Sequence, residues 1–300
     1  MSLHTLNYPS HLLSKSNKPK RMHKTTMNVT PVPERGNKPT STNNFGLNLA
    51  SMSSKNSIKG SLLYQPNTVG IIGGVSPDVT LDFVKKLINT SKECKQDENG
   101  LPFVLCSDPI MNKVNDDTQV VEILRRKRVF LERSGARYIV MPCNLLHSWY
   151  EEVSKGCSVP MLHMGECVVN ELKEAKLKPL EAGSPLRIGV LATDSGGFYR
   201  DKLQKEGFEV ILPDKATMEH AIIPSIEAIS RKDIEGAQNL LRIALQVLLV
   251  RAVNIIILAS DDVRTLLPHD DPLLKKCVDP FDSLARSTVK LAQSAIKCSQ

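Results

Sequence analysis

Cys143 and Ser260 each follow a short apolar run, at places where a reactive side chain would be exposed to a ligand. Cys143 comes after Tyr-Ile-Val-Met-Pro, and Ser260 comes after Ile-Ile-Ile-Leu-Ala. If these runs are buried strands of parallel sheets, both residues lie at the strand ends where such sheets bind ligands. A cysteine at a helix N-terminus has a lowered pKa and acts as a base or nucleophile. The alternative for Cys143 is a small buried thiol beside Asn144 as a helix cap.

The two segments belong to a larger internal repeat. Val69-Gly-Ile-Ile-Gly precedes Cys143 as Ile188-Gly-Val-Leu-Ala precedes Ser260, with 73 residues from Gly70 to Cys143 and 71 from Gly189 to Ser260. A duplicated α/β unit that presents one residue from each half to a shared cleft can act on both faces of a small molecule. A serine hydroxyl is far less acidic than a thiol, so Ser260 is the weaker acid/base group.

Polar residues next to these two positions are candidates for substrate binding. Asn144 follows Cys143 and can hydrogen-bond a carboxylate or enolate oxygen. Asp261 and Asp262 follow Ser260. They are carboxylates in the right place to bind substrate, and they equally suit a helix cap and first turn. The residues themselves do not decide between these readings.

Two glycine-containing turns lead from a strand into a helix and form possible carboxylate-binding sites. The first, residues 73–78, contributes Gly74 and Ser76, with Ser76 as helix cap and Pro77 as first helical residue. The second, residues 192–199, contributes Thr193 and Gly197. Neither has the spacing of a P-loop or a dinucleotide fingerprint. A plain turn remains open for the first, and a helix cap of Asp194 or Ser195 for the second.

Beyond residue 65, short apolar runs alternate with amphipathic segments, which predicts an α/β fold with parallel sheets. We expect two pseudo-symmetric doubly wound domains with the site in the interdomain cleft. The first domain comprises residues 66–177 plus 278–300, and the second comprises residues 186–277. Val159–Met164 is predicted as a fourth strand of the first domain, and the last helix is expected to pack back on that domain.

Residues 1–65 differ from the rest in composition, with nine of the 39 basic residues but one of the 32 acidic residues. Rich in Ser, Thr, Asn and Lys, they predict a chloroplast transit peptide, with a mitochondrial one second and a disordered basic tail as the alternative. The remaining 30 basic and 31 acidic residues nearly cancel, which argues against nucleic-acid binding. No apolar run is long enough for a membrane span. Seven cysteines without a C-x-x-C pair predict free thiols and no zinc site.

Four motifs together resemble the aspartate/glutamate racemase superfamily: Gly-Gly-Val-Ser-Pro-Asp at 73–78, Met-Pro-Cys-Asn at 141–144, the Leu-Ala-Thr turn ending in Gly-Gly-Phe-Tyr at 191–199, and Pro-Asp at 213–214. The resemblance implies two α/β domains, a cleft, no pyridoxal phosphate or other cofactor, and a dimer. It also implies that the substrate is a small carboxylate or dicarboxylic amino acid, with one cysteine on each side of its Cα.

This chain departs from the family pattern at three places. Ser260 replaces the second cysteine, and Leu145 replaces a threonine after Cys-Asn. The loop that normally supplies a carboxylate-binding arginine has Lys113 as its nearest cation. We therefore expect a racemase with Cys143 as its base and reduced activity. The alternative is a silent or one-base, decarboxylase-like relative that binds a small dicarboxylate.

Overall fold

The computed structural model describes residues 65, 67–93, 100–108, 116–179, 183–193 and 196–298. All nine predicted site residues fall within these ranges. Lys113, Asp194 and Ser195, and nearly all of the predicted transit peptide, lie outside the described residues. The described residues that form both sheets belong to one unit of the chain.

The first sheet is parallel, with strands β1 (Val69–Ile72), β2 (Phe103–Cys106) and β3 (Tyr138–Val140) in the order β2-β1-β3. Helix α1 (Pro77–Glu93) connects β1 to β2, and helix α2 (Asp117–Arg133) lies between β2 and β3. The register aligns the last residues of β1 with the ends of both neighbours. The carboxyl ends of the three strands therefore lie at one edge, which is the usual place for a ligand.

The second sheet repeats this arrangement. Its strands β4 (Arg187–Leu191), β5 (Glu209–Ile211) and β6 (Ile255–Leu258) pair in the parallel order β5-β4-β6. A short strand β7 (Cys277–Val278) extends it beyond β6. In both sheets the first strand of the half is thus flanked by the second strand on one side and the third on the other. This confirms the α/β class, the parallel sheets and the internal repeat predicted from the sequence.

Helices and helical turns cover the sheets. Beyond α1 and α2 the described chain contains α3 (Tyr150–Ser154), α4 (Met164–Glu174), α5 (Gly196–Lys205), α6 (Lys215–Thr217), α7 (Ile223–Ser230), α8 (Ile234–Val250) and α9 (Pro280–Cys298), with a 3₁₀ turn at Leu145–Trp149, another at Pro272–Lys276 and a π turn at Met218–Ile222. Asp116 caps α2 and Asp233 caps α8, each by accepting a backbone N–H. No helix among these residues is long and apolar enough to cross a membrane.

The last helix packs on the first half of the chain, as expected. Phe281 of α9 is fully buried, and its ring meets Phe83 of α1 edge to face, with centroids 5.7 Å apart. Leu284 and Val289 are buried in the same apolar cluster as Val69 of β1. The first sheet therefore depends on the C-terminal helix for part of its core. The division into two domains at the predicted boundaries stays a prediction.

The prediction of a fourth strand at Val159–Met164 is wrong. Only Met161 bridges to the sheet, through Ile139, which donates to the carbonyl of Pro160 and accepts from the N–H of Leu162. Pro160 has no N–H for a ladder, and α4 begins at Met164 after His163 caps it. The segment therefore ends after a single bridge.

Candidate active site

Cys143 lies three residues beyond the end of β3 and is 2% exposed. The turn after β1 passes directly over it. A Cβ at position 74 would lie 2.8 Å from Cys143 Cβ and 3.2 Å from its Sγ, so only glycine fits there. The N–H of Gly74 is already donated to Thr80 Oγ1 at 3.0 Å. Close packing against the thiol accounts for Gly74, and its predicted contact with substrate stays a prediction.

The environment of Cys143 favours a neutral thiol. Burial raises the pKa of Cys143 well above its ordinary value, and the charge of Asp261 raises it further. The backbone N–H groups of Val75 and Leu146 act in the opposite direction, because they stabilise the thiolate. The expectation of a lowered pKa for Cys143 is therefore wrong for this state of the protein. Desolvation and a neighbouring carboxylate outweigh the two N–H groups.

Asp261 reaches Cys143 from the opposite sheet. It follows β6, and its carboxylate accepts from the backbone N–H of Asn144 at 3.2 Å and from the Asn144 side-chain amide at 2.6 Å. The residues after Asp262 form turns and not a helix, so the helix-cap interpretation of Asp261 and Asp262 is wrong. Desolvation raises the pKa of Asp261 to about 6, although Asn144, Arg264 and Cys143 lower it. The turns that follow β3 and β6 thus meet through one carboxylate.

Tyr199 sets the orientation of the Asn144 amide. Its hydroxyl, on a fully buried side chain of α5, donates to Asn144 Oδ1 at 2.7 Å, which leaves the Asn144 Nδ2 group to donate to Asp261. Burial raises the pKa of Tyr199, so the hydroxyl keeps its proton. Tyr199 was not among the predicted site residues, although it ends the Gly-Gly-Phe-Tyr motif that signals this turn.

His147 is a buried structural group and not an acid or base. Its Nε2 accepts the backbone N–H of Met164 at 3.0 Å, so Nδ1 carries the proton and donates to the Cys143 carbonyl at 3.1 Å. Burial and His163, whose ring lies edge-on at 5.2 Å, lower the pKa of His147 to about 3. The neutral imidazole therefore holds the backbone of Cys143 against the start of α4.

Ser260 follows β6 as predicted and is 2% exposed. Its Oγ has no hydrogen-bond partner among the described residues. No carboxylate or imidazole is bonded to it there that would take up its proton. Its proposed catalytic role therefore lacks an activating base in this structure.

The remaining predicted residues lie at the starts of the helices that follow the glycine turns. Ser76 is 4% exposed, accepts the Val79 N–H at 3.4 Å, and precedes Pro77 at the start of α1, as expected. Thr193 follows β4 and is partly buried. Gly197 lies in the first turn of α5, where a Cβ would meet nothing within 4 Å. Their contacts with substrate, and that of the partly exposed Asp262, stay predictions.

One cation near the thiol was not singled out from the sequence. Lys127 of α2 is 5% exposed, and its Nζ has no hydrogen-bond partner among the described residues. Its charge interacts with Cys106, Asp108 and Cys143. Its spacing on the buried face of α2 gave no signal, because a lysine in a helix is normally exposed.

The described part of the chain contains no group of three or more His, Cys, Asp or Glu residues that could hold a metal ion. Five cysteines in it are free thiols: Cys106, Cys143, Cys157, Cys167 and Cys277. The side chains of the site supply a thiol, a carboxylate, a hydroxyl and an ammonium group.

Comparison with known proteins finds the same architecture. The family model for Asp/Glu/hydantoin racemases matches residues 72–288. The broad specificity amino-acid racemase RacX of Bacillus subtilis is 27% identical over 227 residues, which cover 74% of this chain and 96% of RacX. The aspartate racemase of Picrophilus torridus superposes with a TM-score of 0.59 at 22% identity, covering 76% of this chain and 94% of that one. An aspartate racemase homologue of Pyrococcus horikoshii superposes with a TM-score of 0.58 at 20% identity, covering 76% of this chain and 99% of that one.

Proposed function

Since the chain belongs to the Asp/Glu/hydantoin racemase family, we propose that it moves a proton at the Cα of a small amino acid without a cofactor. The observation that carries this proposal is the contact of the Asn144 amide with Asp261 beside the Cys143 thiol. It supports a site where a base, a carboxylate and a hydrogen-bond donor converge at the carboxyl ends of two sheets.

Under this proposal, Asp261 favours an amino acid over a hydroxy acid as the substrate. The negative charge of Asp261 disfavours the Cys143 thiolate. A substrate ammonium group placed against Asp261 would neutralise that charge and lower the pKa of the thiol. The base would therefore form when an amino acid binds, as the thiol releases its proton to water; after turnover Cys143 releases the abstracted proton in the same way. A hydroxy acid such as malate brings no cation and leaves the thiol protonated.

The reaction itself is a proton transfer across two faces of Cα. The Cys143 thiolate takes the α-proton, and the electron pair of the C–H bond is left on an enolate. For racemisation the enolate takes a proton on its opposite face from Ser260, whose oxygen then regains a proton from water. Because a hydroxyl is a far weaker acid than a thiol, and no described group is hydrogen-bonded to Ser260 Oγ to stabilise the alkoxide left behind, this second half of the reaction is expected to be slow.

The same fact supports a second candidate, a one-base or catalytically silent relative that binds a small dicarboxylate. The one-base relative needs only Cys143 to exchange the α-proton. The silent relative binds the dicarboxylate and exchanges no proton. The two candidates differ in the stereochemical outcome, since a one-base enzyme exchanges the α-proton with retention.

The test is incubation of the protein in D₂O with aspartate, glutamate or malate, with the α-proton followed by NMR and the enantiomers separated by chiral chromatography. We expect exchange with one of the amino acids and none with malate. Racemisation with exchange supports the racemase, and exchange with retention supports the one-base enzyme. Absence of exchange with both amino acids would refute the proposed activity.

Two variants assign the roles. Cys143→Ala should abolish exchange, because no other thiol shares this strand end. Ser260→Ala should leave exchange by Cys143 intact while inversion is lost. Cys157→Ala, which removes a partly buried thiol elsewhere in the first half, is the matched control and should keep full activity. Unchanged turnover in Cys143→Ala would remove the thiol from the mechanism.

A further inference from the structure

The buried ammonium group of Lys127 is the least compensated charge near the site. Its Nζ is shielded from solvent and makes no hydrogen bond to any described residue. An ammonium group in such surroundings is costly for the folded state unless something pairs with it. The anion that acts on it most strongly is Asp108, whose charge favours the ammonium form of Lys127.

The position of Lys127 on α2 directs its ammonium toward the strand ends. In a β–α–β unit the helix runs back along the sheet, so the N-terminal end of α2 lies at the carboxyl edge of the strands. Side chains tilt toward the N-terminus of their helix, and a long lysine extends about a turn in that direction. The groups that interact with its charge lie at this edge: Cys106 ends β2, Asp108 follows β2, and Cys143 follows β3.

The buried guanidinium of Arg264 is already ion-paired, although its Nε has no hydrogen-bond partner among the described residues. Arg264 is bonded to Asp82 at 2.5 Å and to Asp279 at 3.1 Å, and it lies on the ring of Phe281. Burial lowers the pKa of Lys127, and a ligand carboxylate beside it would favour its charged form. Among the described residues near Cys143, Lys127 is therefore the cation whose hydrogen bonds are left for a ligand.

We propose that Lys127 binds the side-chain carboxylate of a dicarboxylic amino acid and so selects acidic over neutral substrates. This rests on the proposed function of the same site. In this arrangement Asp261 takes the ammonium group and Cys143 faces Cα. Lys127 takes the second carboxylate, which compensates for its buried charge. Lys127 is a specificity residue and does not transfer a proton.

The experiment compares binding of aspartate and asparagine, which match in size and differ in the charge of the side chain. Calorimetry on the full-length protein should show aspartate binding at least about tenfold more tightly than asparagine, since a charge-assisted bond is lost with the amide. In Lys127→Met this preference should disappear through weaker aspartate binding, while asparagine binding is unchanged. Lys127→Arg should retain part of the preference.

Three results would overturn the proposal: a wild-type protein that binds neither ligand or both equally, a preference that survives in Lys127→Met, and an equal loss for both ligands. The last result would place Lys127 beside the thiol as a general electrostatic group. The binding measurement does not depend on turnover. If the D₂O assay shows no exchange but aspartate is still preferred through Lys127, the proposed activity is refuted and the proposed role of Lys127 is not.

A folding control accompanies the binding data. Lys127→Met removes an unpartnered buried charge and keeps the length of the side chain, so it should unfold at the same temperature as the wild type or higher. A variant that is stable and still loses the aspartate preference separates the role in binding from a role in the fold.

Discussion

At the scale of single residues, the close approach of Gly74 to the thiol gives the sharpest prediction. Gly74→Ala should lower the free energy of unfolding by about 1–3 kcal/mol, because the added methyl group overlaps the Cys143 side chain. Exchange at Cα should fall as the thiol is displaced. Urea denaturation and the D₂O assay measure the two effects.

Gly197→Ala is the matched control, because the added methyl group meets nothing within 4 Å and alanine suits the first turn of α5. It should be as stable as the wild type. Equal stability of both alanine variants would mean that the turn after β1 yields easily and that Gly74 is not needed for packing.

Tyr199→Phe tests the hydrogen bond that orients Asn144. Loss of the hydroxyl leaves Asn144 Oδ1 without its donor, and the free energy of unfolding should fall by about 1 kcal/mol. Because the amide is then free to turn away from Asp261, we also expect a higher KM for the amino acid. Denaturation and steady-state kinetics measure these effects. An unchanged KM would show that Asn144 keeps its orientation without Tyr199.

The raised pKa of Asp261 predicts a pH dependence of stability with a definite sign. Its carboxyl group binds a proton more tightly in the folded state than in the unfolded state, so the folded state gains stability as the pH falls through about 6. The gain levels off near the ordinary pKa of aspartate, where both states are protonated. The free energy of unfolding at pH 7.5 and at pH 5 should differ by less in Asp261→Asn. The same difference in wild type and variant would contradict the assignment.

At the scale of elements, a buried ion cluster ties the turn after β6 to α1 and to the start of α9. Arg264, with a side chain 1% exposed, pairs with Asp82 of α1 and with Asp279, and Lys86 pairs with Asp279 and Asp282. Removing Arg264 leaves Asp82 without its ion-pair partner and leaves Asp279 with Lys86 alone. The cluster therefore joins elements that carry the two halves of the site.

Arg264→Gln should lower the free energy of unfolding by about 1–3 kcal/mol, because Asp279 keeps Lys86 and Asp82 is partly exposed; urea denaturation measures the change. Arg126→Gln removes an exposed pair with Glu122 within α2 and should change it by less than about 0.5 kcal/mol. If Arg264→Gln costs no more than Arg126→Gln, the ion cluster does not hold these elements together.

The order and type of the elements could be predicted because each strand and helix has its own periodicity and cap. Ser76-Pro77 marked the start of α1, and the apolar runs marked β3 and β6. The prediction of a strand at Val159–Met164 failed although the run is apolar. Pro160 has no N–H for a ladder bond, and α4 begins at Met164. Local pattern reports side-chain burial and does not report how many ladder bonds a segment can form.

The electrostatics of the site could not be predicted from the sequence, because they depend on groups brought together by the fold. Asn144 and Asp261 are 117 positions apart, yet their contact accompanies the reversed pKa shift of Cys143. The lack of a hydrogen-bond partner for Lys127 and the bond of Tyr199 likewise appear only when α2 and α5 are packed. Residue types marked the location of the site, and distances set its chemistry.

At the scale of the whole molecule, two predictions concern the localisation of the protein and its oligomeric state. We propose that residues 1–65 direct the protein to the chloroplast, with the mitochondrion as the second possibility. A fluorescent protein carrying these residues should be imported, and one carrying them with the basic residues changed to glutamate should stay outside. A reporter that is not imported would favour the alternative of a basic tail. The predicted homodimer can be tested by light scattering, which measures the molecular mass in solution.

The packing of α9 on α1 and β1 also constrains the order in which the protein is made. A ribosome delivers the first strands early, but Phe281, Leu284 and Val289, which complete their apolar cluster, follow the whole second half in the chain. The first half must therefore wait, with part of its core open, while the second half is synthesised and folds. Chaperones that bind exposed apolar surface would meet this chain during that interval, and truncation near the C-terminus should harm the N-terminal half most.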